Sequence, residues 1–336
     1  MRAQGERVRM TGSSATLPGF TVVVPSLDHG RFIDATLESL LCQDYPDLEI
    51  LVMDGRSRDD TLDRLRRYGG RIAWASEPDA GQADAIAKGF ARATKPWLTW
   101  LNSDDVHANR ALWAVAEAIA RHPEAEIVYG KGHYIDADGA YLRDYPTIEA
   151  GPDAEMGALM FAKGYLPQPS VYFARQAYER AGGIDRSLRY VMDYELWTRF
   201  ALARMKFVMV GHDISGNRWH ADAKTVSNLG ELYAEAIAVQ RRHFGKVSPY
   251  FVQAVSDHLF QARRGERSGG GDQLFWRWLY FKRAWLRLNA RRPGYCLKGL
   301  VLETIAKSGP VVGDRLSARE WLQGLGEAVL GRQPRH

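Results

Sequence analysis

The stretch Thr21-Val22-Val23-Val24-Pro25-Ser26 opens the regular part of the chain and decides its fold class. It is a β-branched run stopped by a proline, which is typical of a buried strand. An amphipathic helix is predicted from about Arg31 to Cys42, and the next apolar run, Leu48 to Met53, ends in Asp54-Gly55. This order of strand, helix and strand predicts the beginning of a parallel sheet.

The same alternation continues further along the chain. A second helix is predicted from Asp59-Asp60-Thr61, a third strand over Arg71 to Ser76 and a third helix over Gly81 to Thr94. Trp97 to Leu101 predicts a fourth strand, and Ile127 to Tyr129 a fifth. Strands that alternate with helices predict an α/β fold, Rossmann-like, with a mostly parallel sheet flanked by helices.

Two adjacent carboxylates follow the fourth strand, in Asn102-Ser103-Asp104-Asp105. Their desolvation is costly unless a cation compensates it, and such oxygen ligands suit Mg²⁺ or Mn²⁺ holding a diphosphate. The pair could also simply cap the next helix, predicted to begin near Ala108. Ligands of parallel sheets bind at the carboxyl ends of strands, where Ser26 and Asp54 also lie. A nucleotide site is therefore predicted at this edge.

Seven motifs stand in order between about Phe20 and Asn228, roughly two thirds of the chain. They are Val22 to Ser26, Leu40 to Pro46, Glu49 to Thr61, Gly81 to Gly89, Asn102 to Asp105, Gln168 to Val171, and Met192 to Trp197. In this order they resemble the inverting, nucleotide-sugar-dependent glycosyltransferases of family 2. The resemblance implies a GT-A fold and a donor that is a nucleotide-diphosphate sugar, with a UDP-sugar favoured.

The resemblance also implies which residues bind the donor. The implied nucleotide-binding residues are Pro25, Ser26, Asp54 (accepting a hydrogen bond from the base) and Asp104. Asp105, with Asp104, is the implied ligand of Mg²⁺ or Mn²⁺. Relatives usually carry an acid at the first position of the metal motif, where this chain has Asn102, so metal dependence is expected to be weaker. For Pro25, Ser26 and Asp54, an ordinary turn at a strand end is the alternative.

Transfer to a hydroxyl requires a general base. Asp193 is the candidate, because it precedes a helix predicted from Tyr194 to Ala203 and the resemblance implies catalysis there. A plain helix N-cap is the alternative for Asp193. The resemblance further places Gln168 and Glu195 on the acceptor or sugar side, with a supporting or surface position as the alternative for Glu195.

A basic loop, Asn217 to Thr225, resembles the segment that many relatives close over the diphosphate. Its implied donors are Arg218, His220 and Lys224, and alanine replaces the usual serine at Ala223. Basic donors on such a loop could clamp phosphate and exclude water. A solvated basic loop is the alternative.

Length and composition frame the domain organisation. With 336 residues and 46% hydrophobic content, the chain can form a transferase domain over 20–230 and an extension over 231–336. Residues 1–19 lack the apolar core of a secretory signal and predict a disordered leader. Two cysteines suggest a reducing compartment, and no apolar run is long enough to span a membrane. A cytoplasmic protein is expected.

The extension is basic and mostly helical. Residues 273–292 predict a helix whose apolar seam opposes a row of arginines; the seam consists of Leu274, Trp278, Phe281, Trp285 and Leu288. Such a helix fits an anionic membrane interface, and it equally fits a helix docked on the catalytic domain. Because many relatives act on lipid-linked glycans, the resemblance adds the inner face of the cell membrane as a peripheral location.

Other classes of protein fit less well. A dinucleotide oxidoreductase would need a glycine-rich loop after the first strand, which Pro25 to Arg31 lacks. Nucleic acid is not an expected partner, because it would leave the acidic motif unexplained. The sequence therefore predicts a metal-assisted, inverting glycosyltransferase that acts on a hydroxyl of a glycan or lipid-linked acceptor in cell-envelope polysaccharide biosynthesis. The alternative is a non-catalytic sugar-nucleotide-binding or scaffolding relative.

Overall fold

A nine-stranded sheet with helices on both faces forms the centre of the molecule. The computed structural model describes residues 17–151, 154–164, 166–220, 228–264, 273–292 and 294–295. Residues 1–16 of the predicted leader and the segment 296–336 lie outside this part. All the elements given below belong to the described residues.

The first half of the sheet is parallel, as predicted. Its elements are β1 (Phe20–Ser26), α1 (Gly30–Leu41), β2 (Leu48–Asp54), α2 (Thr61–Arg67), β3 (Ala73–Ser76), α3 (Gln82–Arg92) and β4 (Trp97–Trp100). The strands lie in the order β3-β2-β1-β4, and every neighbouring pair is parallel. The register brings Ser26, Asp54 and Ser76 side by side at the carboxyl ends.

The second half of the sheet is mixed. It contains β5 (Val106–His107), α4 (Ala111–Arg121), β6 (Ile127–Ile135), β7 (Tyr141–Asp144), α5 (Met156–Ala162), β8 (Val171–Ala174), α6 (Arg175–Arg180), α7 (Met192–Leu202) and β9 (Phe207–Arg218). The order continues as β4-β8-β6-β9-β5, with β7 beside β6. β8 is antiparallel to both of its neighbours, and β5 and β7 are antiparallel to theirs. The predicted sheet is therefore confirmed as an α/β sheet, with three strands reversed.

One predicted boundary is displaced. The helix expected near Ala108 begins at Ala111, because Val106 and His107 first pair with β9 as a short strand. That pairing ties the segment after the acidic motif to the far edge of the sheet. The motif therefore lies between two strands, rather than at the start of a helix.

Each face of the sheet packs against its own helices. Along β1, Val22 and Val24 belong to the hydrophobic cluster with α1 and α2, whereas Val23 belongs to the cluster on the opposite face, with α3. This alternation follows from the two-residue period of a strand. All of β1 is buried, which explains why its sequence reads as a continuous apolar run.

Three C-terminal helices follow the sheet: α8 (Leu229–Phe244), α9 (Pro249–Arg264) and α10 (Gln273–Asn289). Phe281 and Trp285 of α10 are buried in the same cluster as the helices on the α3 face. The described part of the predicted seam is therefore covered by protein, as in a docked helix; the side chains of Leu274 and Trp278 lie outside the described part. Among the described helices, none has the length and apolar character needed to cross a membrane.

The packing of α3 on the sheet predicts an unusual response to a glycine substitution. A Cβ added at Gly89 would lie 2.8 Å from Val23 Cγ2 and 3.1 Å from Met53 Cγ. Gly89→Ala should therefore lower the free energy of unfolding by about 1–3 kcal/mol through overpacking, although alanine in a helix is ordinarily favoured by about 1 kcal/mol. Denaturant unfolding measures the difference.

Gly157 of α5 provides the matched control. A Cβ there would meet Leu202 Cδ2 at 3.7 Å, an ordinary contact. Gly157→Ala should therefore leave the unfolding free energy unchanged or raise it. Equal effects of the two substitutions would contradict this account of the α3 packing.

Candidate active site

A cleft of about 420 Å³ opens at the carboxyl ends of the parallel strands. Pro25 and Ser26 line it from the end of β1, and Asp104 and Asp105 line it from the segment after β4. Asp193, at the start of α7, lines it from the helical side. Residues distant in sequence thus meet in one cavity, at the edge where the sequence predicted a ligand.

The two adjacent carboxylates have opposite surroundings. Asp105 is 6% exposed, and burial, followed by the charge of Asp104, raises its pKa well above the ordinary value. Burial also opposes ionisation of Asp104, but the hydrogen bond from His220 and the charges of His29 and His220 outweigh it and lower that pKa. The His220 Nε2 to Asp104 Oδ2 distance is 3.1 Å.

Asn102, which stands where an acid was expected, is part of a short hydrogen-bond chain. Its Nδ2 donates to Asp105 Oδ2 at 3.0 Å, and its Oδ1 accepts from Gln82 Nε2 at 2.6 Å. An aspartate could accept from Gln82 but could not donate to Asp105. The amide therefore stabilises a buried carboxylate that a third acid would repel.

The end of β9 closes the other side of Asp105. The Arg218 backbone N–H donates to Asp105 Oδ1 at 2.7 Å, and its Nε donates to the Asp104 carbonyl at 2.6 Å. Nη1 donates to the carbonyls of Asp136 and Ala137. Arg218 thus fixes the acidic motif against the β6–β7 turn. Its predicted contact with a diphosphate stays a prediction, as does that of His220, and Lys224 lies outside the described residues.

Two buried polar atoms of the cleft have no hydrogen-bond partner within the described protein. They are Ser26 Oγ and Gln168 Oε1. Gln168 Nε2 donates to the Trp100 carbonyl at 2.7 Å, which holds the side chain in the cleft. A buried hydroxyl or amide oxygen without a partner is costly, so both atoms are suited to a hydrogen bond from a bound ligand.

Asp193 lies in the first turn of α7, two residues further inside the helix than predicted, because the helix begins at Met192. Its Oδ1 accepts the Tyr194 N–H at 2.7 Å. Burial raises the pKa of Asp193 to about 6, against its ordinary value of 3.8. A carboxylate with that pKa can take a proton near neutral pH more readily than an exposed aspartate can.

Three aromatic side chains line one wall of the cleft, and the sequence did not predict this aromatic wall. Tyr134 of β6 stacks on Tyr145 with ring centroids 5.2 Å apart, and Trp219 meets Tyr134 edge-on at 5.5 Å. Arg143 lies over the Tyr134 ring at 4.4 Å. The adjacent Arg218-Trp219 pair was the only sequence signal, since β6 and the segment after β7 carry no motif.

Two predicted site residues do not line the cleft. Asp54 is buried, and its Oδ2 accepts the N–H groups of Arg56 and Ser57 at 3.0 and 3.1 Å, so the carboxylate shapes the turn after β2. Its contact with a base stays a prediction. Glu195 is 2% exposed and bonded to Arg199 and His243 at 2.9 Å, as in the supporting position given as its alternative, and its place on the acceptor or sugar side stays a prediction. Two residues along a helix is about 200° of rotation, so Glu195 cannot face the same way as Asp193.

Asp104 and Asp105 are the residues that could hold a divalent metal. The described residues contain no ready group of three or more His, Cys, Asp or Glu side chains around a metal position. Mg²⁺ is nevertheless often bound through one or two carboxylates together with substrate phosphates. This pair fits a metal whose coordination is completed by a diphosphate.

Comparison with known sequences identifies the family. The family model described as "Glycosyl transferase family 2" matches residues 21–178. A "PGL/p-HBAD biosynthesis glycosyltransferase" of Mycobacterium tuberculosis is 33% identical over 183 residues, which are 53% of this chain and 68% of that protein. An "Uncharacterized glycosyltransferase" of Rickettsia prowazekii is 22% identical over 227 residues, covering 64% of this chain and 68% of that protein. The chain belongs to glycosyltransferase family 2.

Solved structures agree on the fold. The crystal structure of S. aureus TarS 1-349 in complex with UDP-GlcNAc superposes with a TM-score of 0.57 at 14% identity, covering 94% of this chain and 93% of that chain. The predicted GT-A fold is therefore confirmed. The protein is an enzyme, a glycosyltransferase, and the non-catalytic alternative is set aside.

The hydrogen-bond chain through Asn102 generates a prediction. Asn102→Asp removes the donor to Asp105 and adds a like charge, so we expect the free energy of unfolding in a metal chelator to fall by about 1–3 kcal/mol. Millimolar Mn²⁺ should recover more stability in this variant than in the parent, because a metal that binds only the folded state stabilises it. Thermal unfolding with EDTA and with Mn²⁺ measures both effects.

Asn109→Asp is the matched control, since Asn109 is exposed and does not line the cleft. It should change neither quantity. If Asn102→Asp proved as stable as the parent in EDTA and no more responsive to Mn²⁺, the supporting role of the amide would be disproved.

Proposed function

We propose that this enzyme transfers a sugar from a UDP-sugar, with inversion, to a hydroxyl of a glycan or lipid-linked acceptor. Asp193 acts as the general base, and Asp104 and Asp105 hold a divalent metal, Mg²⁺ or Mn²⁺, on the diphosphate of the donor. The uridine nucleotide is favoured by the family resemblance, and TarS, which shares the fold, has been crystallised with UDP-GlcNAc.

One observation carries the proposal. An acidic pair suited to a metal diphosphate, after β4, and a carboxylate with a raised pKa, at the start of α7, line the same cleft. An inverting displacement needs this division, because the acceptor oxygen must approach the sugar carbon from the side opposite the departing diphosphate. The donor would lie along the ends of β1 and β4, and the acceptor would enter next to α7.

The base chemistry follows from the surroundings of Asp193. Because Oδ1 accepts the Tyr194 N–H, Oδ2 is assigned as the oxygen that accepts the proton of the acceptor hydroxyl. As that proton moves to Oδ2, the hydroxyl oxygen forms the new bond to the sugar carbon and the bond to the diphosphate breaks. The raised pKa brings the base closer to the pH at which it works, which favours proton transfer.

The other wall would bind the donor. Gln168 Oε1 can accept a hydrogen bond from a hydroxyl of the nucleotide sugar, and Ser26 Oγ can accept or donate one. Neither atom has a partner in the described protein. A metal, when bound by Asp104 and Asp105, would offset the negative charge that develops on the leaving diphosphate. The aromatic wall of Tyr134, Tyr145 and Trp219 would limit access of water from the opposite side.

The acceptor and the cellular location are proposed from the family resemblance. A lipid-linked acceptor would place the enzyme at the inner face of the cell membrane, in polysaccharide biosynthesis of the cell envelope. Three exposed arginines at and just after the end of α10 are charged groups that could meet an anionic surface, namely Arg287, Arg291 and Arg292. The buried Phe281 and Trp285 would not take part.

A substitution at the proposed base tests the catalytic assignment. Asp193→Asn should reduce transfer by at least about a hundredfold while leaving the dissociation constant of the nucleoside diphosphate nearly unchanged. Transfer by the parent should fall about tenfold per pH unit below the Asp193 pKa of about 6, since the base must be ionised. Initial rates across a pH series, with binding measured by calorimetry, give both results.

Stability provides the folding control for Asp193→Asn. The folded-state pKa of Asp193, about 6, lies above the ordinary value of 3.8. Ionised Asp193 therefore destabilises the fold above pH 6, and this cost disappears as the pH falls from about 6 to 3.8. Asp193→Asn should therefore raise the melting temperature at pH 8 more than at pH 4. An active Asp193→Asn enzyme would rule out Asp193 as the base.

Calorimetric titration tests the donor side. UDP, GDP and dTDP are titrated into the full chain with and without Mn²⁺, and we expect UDP to bind most tightly and only weakly without the metal. Asp105→Ala should abolish the metal-dependent part of binding, because the diphosphate loses its bridge to the protein. Glu117→Ala, at an exposed position on α4 outside the cleft, is the control. Binding of UDP unchanged by Mn²⁺ or by Asp105→Ala would refute the metal assignment.

A further inference from the structure

The segment that leads to Asp193 has no regular secondary structure of its own. Residues 185–191 are the last part of the connection from α6 to α7, and Arg189 and Tyr190 of this loop line the cleft. A loop of this kind keeps one conformation only if its backbone groups find partners elsewhere. The partners are on α8, in the C-terminal part of the chain.

Glu235 of α8 accepts three successive backbone N–H groups of this loop. The Arg189 N–H donates to Oε1 and the Tyr190 N–H to Oε2, both at 2.8 Å, and the Val191 N–H donates to Oε2 at 3.3 Å. Hydrogen bonds to an ionised carboxylate are stronger than those between neutral groups. Val191 immediately precedes α7, so these contacts set where that helix begins and where Asp193 stands.

The rest of α8 is held in place independently of Glu235. Ala236 and Val239 are buried in the main hydrophobic cluster, and Gln240 Nε2 donates to the Tyr194 hydroxyl at 2.6 Å. Arg242 pairs with Asp185, at the start of the loop, at 2.8 Å. The Glu235 carboxylate is thus presented by a helix that is already anchored to α7 and its surroundings.

A contact on the other side of the loop completes its support. Arg186 pairs with Asp84 of α3, and Asp84 also pairs with Lys88 at 3.1 Å. The Tyr190 hydroxyl donates to Glu231, one helical turn before Glu235 on the same face of α8. The loop therefore spans from α3, on the donor side, to α8, and its last three residues are fixed by Glu235.

We propose that Glu235 is a positioning residue for sugar transfer: its carboxylate fixes the backbone of residues 189–191 and thereby holds Asp193 and Arg189 at the cleft. This inference rests on the proposed function, in which Asp193 is the base. Glu235 and the loop that it binds lie outside residues 21–178, the part that the family model matches. Helix α8, in the C-terminal part of the chain, would accordingly support the active site of this enzyme.

The experiment uses the full chain and two variants, Glu235→Ala and Glu235→Gln. Glu235→Gln retains one carbonyl acceptor, so it carries the test if the alanine variant fails to fold. Glu126→Gln is the matched control. Glu126 also accepts a backbone N–H, that of Lys206 at 2.9 Å. It precedes β6, at the end of the strands opposite the cleft.

Two quantities are measured, namely hydrogen exchange of the 189–191 amides and the titration of Asp193 by carboxyl ¹³C resonance, assigned with Asp193→Asn. In Glu235→Ala, exchange of these amides should accelerate by at least about tenfold. The Asp193 pKa should fall from about 6 toward 3.8, because a loosened loop lets water reach the carboxylate. Glu235→Gln should shift both in the same direction by less, and Glu126→Gln should shift neither.

A purely structural role would lower the melting temperature without moving the Asp193 titration. An unchanged Asp193 titration in the folded Glu235 variants would therefore overturn the proposal, as would unchanged exchange at residues 189–191. Neither measurement uses a donor or an acceptor. A negative result for Glu235 is thus distinct from failure of the proposed function, which transfer by Asp193→Asn would reveal.

Discussion

The burial of two adjacent carboxylates at the end of β4 is the constraint on which the cleft depends. Taking a carboxylate out of water costs several kcal/mol unless donors replace the lost hydration. For Asp105 the donors are the Arg218 N–H and the Asn102 amide, and for Asp104 the donor is His220. Meeting this requirement brings the end of β9 beside the end of β4, although the two strands are not neighbours in the sheet.

The part of the cleft formed by α7 has a different electrostatic environment. Burial of Asp193 outweighs its backbone hydrogen bonds, so its pKa is raised, whereas that of Asp104 is lowered. Carboxylates of one residue type thus differ in proton affinity within one cleft, because their environments differ. The loop before α7 is fixed by α8, so the helices beyond the sheet belong to the same structural unit as the chemistry.

Sequence reasoning predicted the part of the site that lies at strand ends. Ser26, Asp104 and Asp105 could be placed because strands end at recognisable residues and parallel strands end on one side. Glu195 does not line the cleft, because two positions along a helix turn its side chain away from the direction of Asp193. Tyr134 and Tyr145 were missed, since their position depends on how β6 and the segment after β7 fold back over the sheet.

The sequence by itself determined the α/β class, the succession of the first four strands along the chain, and the identity of the acidic pair, because these depend on local patterns of apolar and polar residues. Only the tertiary structure decided that β8 enters between β4 and β6 in the reverse direction, and that Glu235 meets the backbone of residues 189–191. Such contacts join segments more than forty residues apart. Their formation depends on the packing of whole elements, for which no local pattern of residues carries a signal.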